Sequence, residues 1–114
     1  MDLDIGTLDL EEIVGDVVEI IGSLAAERGN KIEVHLDARI SRALAGDAAR
    51  IRQVLLNLAT NAVKFTYNGT IEIAAGEIGR NGRTTEVEIA VRVHEGPVLH
   101  AAVRHVGVDR EAPA

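Results

Sequence analysis

Five polar residues recur along one segment at a spacing that places them on one face of a helix. At ~100° per residue, Arg50, Gln53, Asn57, Asn61 and Lys64 fall within a stripe of roughly 80°. Amide oxygens can coordinate a hard cation, and a lysine can neutralise phosphate. Because asparagine is a poor helix former, two on one face indicate a role beyond helix formation. The spacing fits equally well a polar face that meets only water.

The segment that carries this polar ribbon is predicted to be a helix from Asp47, as N-cap, to about Phe65. Almost all its other residues are apolar, which predicts a helix buried nearly all round. These apolar residues are Ile51, Val54, Leu55, Leu56, Leu58, Ala59, Ala62 and Val63.

A second helix and a strand precede this segment. Asp9 and Glu12 form a capping box at the start of a predicted helix over Leu8 to Arg28, and Gly29 is a typical helix stop. The strand around residues 32–36 alternates apolar and polar residues, as a half-buried strand does. The apolar positions of the helix are Leu10, Ile13, Val14, Val17, Val18, Ile21, Leu24 and Ala25.

Two β-branched runs follow the ribbon, over residues 70–74 and 85–93, and Asn81-Gly82 between them is a strong hairpin signal. Residues 38–46 are interpreted as a connection. The segment from His94 onward is predicted to form a short helix or a strand, with residues 109–114 as a frayed end. Together the elements predict an α+β fold, a two-layer sandwich with helices on one face of a mostly antiparallel sheet.

Composition narrows the possible functions of this single domain. The 114 residues carry a net charge of −6 and only two aromatic side chains, Phe65 and Tyr67, which argues against nucleic-acid binding and predicts an aliphatic core. The absence of cysteine excludes disulfides and thiolate chemistry. The four histidines do not show the spacing of a metal site, and each is interpreted as an ordinary surface or packing residue.

The string from Asp47 to Thr66 resembles the N-box of sensor histidine kinases, whose signature LLNLxxNAxKFT it matches without a gap. The resemblance extends over residues 8–93 and leaves 94–114 as a divergent tail. It implies the Bergerat (GHKL) ATPase fold, incomplete at the C-terminal end. It also implies that Asn61 helps to hold Mg²⁺ against the phosphates of ATP, that Asn57 is its partner one turn earlier, and that Lys64 approaches the phosphates.

The chain departs from the family after the hairpin. The family continues with a G1 box, Asp-x-Gly-x-Gly, whose aspartate reads adenine. Aligning on Gly96 places His94 at the aspartate position, and a slip of one residue places Glu95 there. The first alignment places Val98 at the second glycine, and the slip loses the first glycine. The resemblance thus leaves His94, Glu95 and Gly96 as the candidate residues at the adenine end, and Glu95, with its longer side chain, would need a changed pocket to accept a hydrogen bond from adenine. A second glycine-rich box, a lid motif and a phosphoacceptor H-box are also missing from this sequence.

The resemblance implies a cytoplasmic protein of bacterial two-component phosphorelays, whose domain holds Mg–ATP for phosphoryl transfer to a histidine. Its partners would be a dimerisation and phosphoacceptor domain and a response regulator. The chain alone is expected to be inactive. The alternative is a degenerate GHKL-fold domain that serves as a docking scaffold without nucleotide. A serine kinase of the anti-sigma-factor type is a third hypothesis, which the motif NAxKFT disfavours. An exposed sheet edge further predicts a homodimer.

Overall fold

The computed structural model describes residues 6–37, 44–81, 84–95 and 98–110, and the fold consists of two helices and six strands. In chain order the elements are β1 (Gly6–Leu8), α1 (Leu10–Glu27), β2 (Lys31–Leu36), β3 (Leu44–Gly46), α2 (Ala48–Lys64), β4 (Thr70–Asn81), β5 (Thr84–Glu95) and β6 (Val98–Arg110). Both predicted helices and the predicted strand β2 are confirmed within two residues at each end.

The strands form one sheet in the order β1-β3-β6-β5-β4-β2. Only β2 and β4 pair in parallel, and every other neighbouring pair is antiparallel. A parallel pair needs a crossover, which here runs through α2. The mostly antiparallel sheet with helices on one face is therefore confirmed.

The Asn-Gly signal lies at the predicted hairpin, because β4 and β5 pair from Asn81↔Thr84 to Thr70↔His94. Both strands are longer than the β-branched runs that predicted them. The register shifts between Glu77 and Gly79, where one additional residue of β4 forms a bulge. The turn itself, residues 82–83, lies outside the described residues.

The segment after His94 forms a strand, one of the two alternatives expected. β6 pairs with β5 from Glu95↔Val98 to Thr84↔Asp109, and its end pairs with β3 through Leu44↔Arg110. The frayed end is therefore wrong for residues 109–110, and 111–114 lie outside the described residues. A long β5 offers a full row of backbone groups, and pairing with β6 satisfies them.

The connection predicted over residues 38–46 also needs correction, since its last three residues form β3. A three-residue strand is too short to show an alternating pattern, and its pairing with β1 and β6 is a tertiary effect. Residues 38–43 lie outside the described residues.

The core lies between the helices and the sheet and is entirely aliphatic, as the composition predicted. The buried stripe of α1 packs against α2 and the sheet. Alternate residues of β4 and β5 form the sheet side of the core. Its largest fully buried apolar side chains are Ile13, Val17, Leu55, Val63, Ile71, Ile73, Val87, Ile89 and Val91.

The dimer expected from an exposed edge stays a prediction. The strands at the ends of the described sheet are β1 and β2, because β6 covers the edge of β5. An outer strand keeps unpaired backbone N–H and C=O groups that a second copy can pair with. Sedimentation-velocity analysis is expected to show a concentration-dependent dimer, and a single monomeric species at high concentration would contradict this prediction.

Candidate functional site

The predicted polar ribbon of α2 is confirmed as a continuous exposed face. Arg50, Gln53, Asn57, Asn61 and Lys64 are all exposed. Their side chains lie opposite the buried stripe of the helix, which consists of Ile51, Leu55, Ala59 and Val63.

The prediction that α2 is buried almost all round is wrong. Val54, Leu56, Leu58 and Ala62 are only half-buried, because α2 packs on α1 and the sheet through one side. The ribbon therefore points away from the sheet toward solvent.

The five side chains of the ribbon have no hydrogen-bonding partner among the residues that the structure describes. The amides of Asn57 and Asn61 and the ammonium group of Lys64 make no hydrogen bond or ion pair there. Asn57 and Asn61 are separated by four residues, so their side chains lie one above the other on the helix surface. This leaves two amide oxygens and a cation available to an external ligand.

Hydrogen bonds and an ion pair are formed near both ends of α2, the helix that carries the ribbon. At its N-terminus the Asp47 carboxylate accepts a hydrogen bond of 3.1 Å from the Arg50 N–H. In its first turns, Arg52 forms an ion pair of 3.0 Å with Asp16 of α1. At its C-terminus, the Arg28 guanidinium donates a 3.1 Å hydrogen bond to the Lys64 carbonyl. The Arg52–Asp16 and Arg28–Lys64 contacts thus connect α2 to α1 near both of its ends.

A buried asparagine organises the turn that follows α2. The side chain of Asn30, 9% exposed, donates to the Thr66 carbonyl at 2.9 Å and accepts from the Gly69 N–H at 3.0 Å. Its backbone N–H closes a Schellman motif on α1 by donating to Ala25. Gly29, at φ +69°, supplies the left-handed residue that this motif needs, as its sequence position predicted. One residue thus connects the end of α1 to the turn beside Lys64.

The candidate adenine-binding residues lie at the end of β5. His94 is exposed and Glu95 is half-buried, whereas Gly96 lies outside the described residues. A Cβ on Gly69 would lie 2.7 Å from the His94 carbonyl and 3.2 Å from Cγ of Glu95. The structure therefore brings the end of β5 against the turn that follows the ribbon.

Exposed aromatic residues at this turn were not singled out from the sequence. Phe65 is 79% exposed and Tyr67 63% exposed, so both aromatic residues of the chain lie on the surface beside Lys64. The Arg28 guanidinium lies 5.0 Å from the Tyr67 ring centre and donates to its hydroxyl at 2.8 Å. The sequence signal for this surface feature was that the two aromatic residues lie two positions apart, directly after the predicted helix, in a chain whose core is aliphatic.

Sequence comparison finds histidine kinases among the relatives of this chain. A probable histidine kinase 4 of rice (Oryza sativa subsp. japonica) is 33% identical over 89 residues, which is 78% of this chain and 9% of that protein. The signal transduction histidine-protein kinase BarA of Escherichia coli is 27% identical over 97 residues, or 79% of this chain and 11% of that protein. The chain thus spans about a tenth of the length of these relatives, which come from a plant and a bacterium. No protein-family model matches the chain.

Solved structures give the same result for the fold. Full-length ShkA in complex with AMPPNP superposes with a TM-score of 0.66 at 30% identity, covering 79% of this chain and 19% of that one. The nucleotide-free catalytic domain of the histidine kinase ThkA has a TM-score of 0.67 at 24% identity, covering 83% of this chain and 61% of that one. Neither described helix of the present chain is long and apolar enough to cross a membrane. By sequence and by fold, the chain is a relative of the catalytic domains of histidine kinases.

Proposed function

We propose that the exposed ribbon of α2 binds the Mg²⁺–triphosphate part of ATP. The observation that carries this proposal is the outward-facing set of Asn57, Asn61 and Lys64, which has no partner among the described residues. The Asn61 side-chain oxygen is a hard ligand suited to Mg²⁺, with Asn57 one turn away, and Lys64 offsets phosphate charge. This donor set fits Mg²⁺ and phosphate, and it supports the site residues expected from the sequence.

The role of the chain in the reaction is positioning. Phosphoryl transfer depends on alignment and charge stabilisation more than on covalent chemistry by the protein. Asn61, with Asn57 one turn away, would hold Mg²⁺, which would supply positive charge to offset that of the phosphates. Asn57 is an amide, which cannot act as a general base, so this face favours presentation of the phosphate over activation of water.

The adenine end is where this chain departs from the G1-box pattern that the resemblance leads one to expect. β5 leads through two residues directly into β6, with Glu95↔Val98 as the first pair of the hairpin. We propose that Glu95, half-buried beside Gly69, replaces the adenine-reading aspartate, with His94 next to it. Its carboxylate can accept a hydrogen bond from an amino group such as that of adenine.

In the whole protein, the phosphate would pass to a histidine on a phosphoacceptor domain and then to a response regulator. One of the structural neighbours, ThkA, has been solved in complex with the response regulator protein TrrA. The match to histidine kinases supports these partners as proposals for the longer protein.

A second candidate function is a docking scaffold that does not bind nucleotide. The observation that favours it is the same short β5–β6 connection, which occupies the position where a G1 box would follow. The two functions make opposite predictions for nucleotide binding.

Side-chain amide NMR can locate the proposed contacts. With Mg–ATP or Mg–pyrophosphate, the side-chain amide resonances of Asn57 and Asn61 are expected to shift, whereas those of buried Asn30 stay in place. Adenosine alone is expected to shift the resonances around Glu95. Unchanged resonances of Asn57 and Asn61 at millimolar Mg–ATP would favour the scaffold.

A further inference from the structure

The face of the sheet opposite the helices carries a cluster of one histidine and two glutamates. Glu33 and His35 lie two residues apart on β2, so both point to this face, and the parallel register places Glu72 of β4 beside Glu33. The His35 Nε2 atom lies 3.6 Å from Oε2 of Glu33 and 3.8 Å from Oε2 of Glu72. The spacing of the histidines in the sequence did not reveal these two carboxylates beside His35.

From this geometry we propose a binding site for Zn²⁺ or a similar divalent transition metal, formed by Glu33, His35 and Glu72. One ligand atom from each residue lies within 4.8 Å of the others. With Zn–N and Zn–O bonds of about 2.0–2.1 Å, ligand atoms in a tetrahedral site lie about 3.3 Å apart. The two distances from His35 Nε2, 3.6 and 3.8 Å, are slightly longer than that value.

The ligand set and its surroundings select the class of metal. An imidazole nitrogen favours Zn²⁺ and its neighbours over Mg²⁺ and Ca²⁺, which prefer sites made of oxygen alone. Two carboxylates offset the charge of the ion. Three protein ligands leave a fourth position for water or another ligand.

A neighbouring arginine orients one of the carboxylates. Arg92 of β5 lies 2.6 Å from Oε1 of Glu72, while Oε2 of the same carboxylate faces His35. Arg92 also lies 3.9 Å from Glu88, so it has a second acidic neighbour. Such a contact to the far oxygen fixes a metal-ligating carboxylate, as outer partners of metal ligands commonly do.

The site would link two neighbouring strands at the edge of the sheet. It joins β2, an outer strand, to its neighbour β4, and lies on the opposite face from α2. It is independent of the proposed nucleotide function, because none of its residues belongs to the ribbon or to the end of β5.

Calorimetric titration of Zn²⁺ into the chain tests this proposal, with the thermal unfolding midpoint as a second readout. We expect one Zn²⁺ per chain and a higher midpoint with the metal. His35→Asn and Glu33→Gln should each weaken binding by about tenfold or more. Both side chains are more than half exposed, so both variants should fold.

His94→Asn is the matched control, since it removes an exposed imidazole outside the cluster. It should bind Zn²⁺ as the parent chain does. Equal binding by the parent and His35→Asn, no binding by the parent, or loss of binding in His94→Asn would overturn the proposal.

Discussion

Leu55→Ala is expected to lower the free energy of unfolding by about 2–5 kcal/mol. Leu55 lies in the middle of the buried stripe of α2 and is 1% exposed, within the core shared with α1 and the sheet. Truncation removes apolar contacts and leaves a cavity that surrounding helices fill only in part. Since small domains have total stabilities of about 5–15 kcal/mol, this single change is large. Urea denaturation followed by circular dichroism measures it.

Ile20→Ala supplies the control for Leu55→Ala. Ile20 is the same size but 58% exposed on α1, so its truncation should cost well under about 1 kcal/mol. Similar losses for the two variants would show that α2 is not anchored through its buried stripe.

Asn30→Ala is expected to cost about 2–4 kcal/mol, although it removes only a small polar side chain. The substitution leaves the Thr66 carbonyl and the Gly69 N–H without their partner at a buried junction, and each unmet group costs about 1–3 kcal/mol. The turn that follows Lys64 should loosen as a result. Chemical denaturation gives the loss of stability, and amide hydrogen exchange at residues 65–69 should accelerate.

Asn57→Ala is the matched control for Asn30→Ala. It makes the same substitution at an exposed position of α2, where alanine is the better helix former. Its stability should change by less than about 0.5 kcal/mol. A small loss in Asn30→Ala would show that the junction between the end of α1 and the turn is not held by this side chain.

Local signals in the sequence were sufficient for the elements that form the core. Asp9 and Asp47 cap the two helices by accepting from the N–H of Glu12 and Arg50, and the apolar spacing identified the buried faces. The Asn-Gly pair located the hairpin. These features depend on residues close in sequence, and for this reason a pattern could reveal them.

What the sequence could not reveal depends on contacts between distant segments. Strand β3 exists because β1 and β6 pair with it, and the tail becomes a strand because β5 offers a long edge. The same limit applies to the cluster of Glu33, His35 and Glu72, which forms only through the parallel register of β2 and β4.

The sequence predicted which residues share the candidate face of α2, but it did not predict how that face is placed in the fold. Asn57, Asn61 and Lys64 lie together on one face of α2, as the helical spacing required. That they face solvent, and that Asn30 and Arg28 fix the end of the helix, follows from how α2 packs. Helical periodicity relates residues within one helix and does not contain this information.

Calorimetric titration of Mg–ATP into the parent chain and into Asn61→Ala tests most directly whether the ribbon of α2 is a nucleotide site. We predict saturable binding to the parent that disappears in Asn61→Ala, with both proteins folded by circular dichroism. Absence of binding to the folded parent, or equal binding to both proteins, would contradict the proposed role of the ribbon.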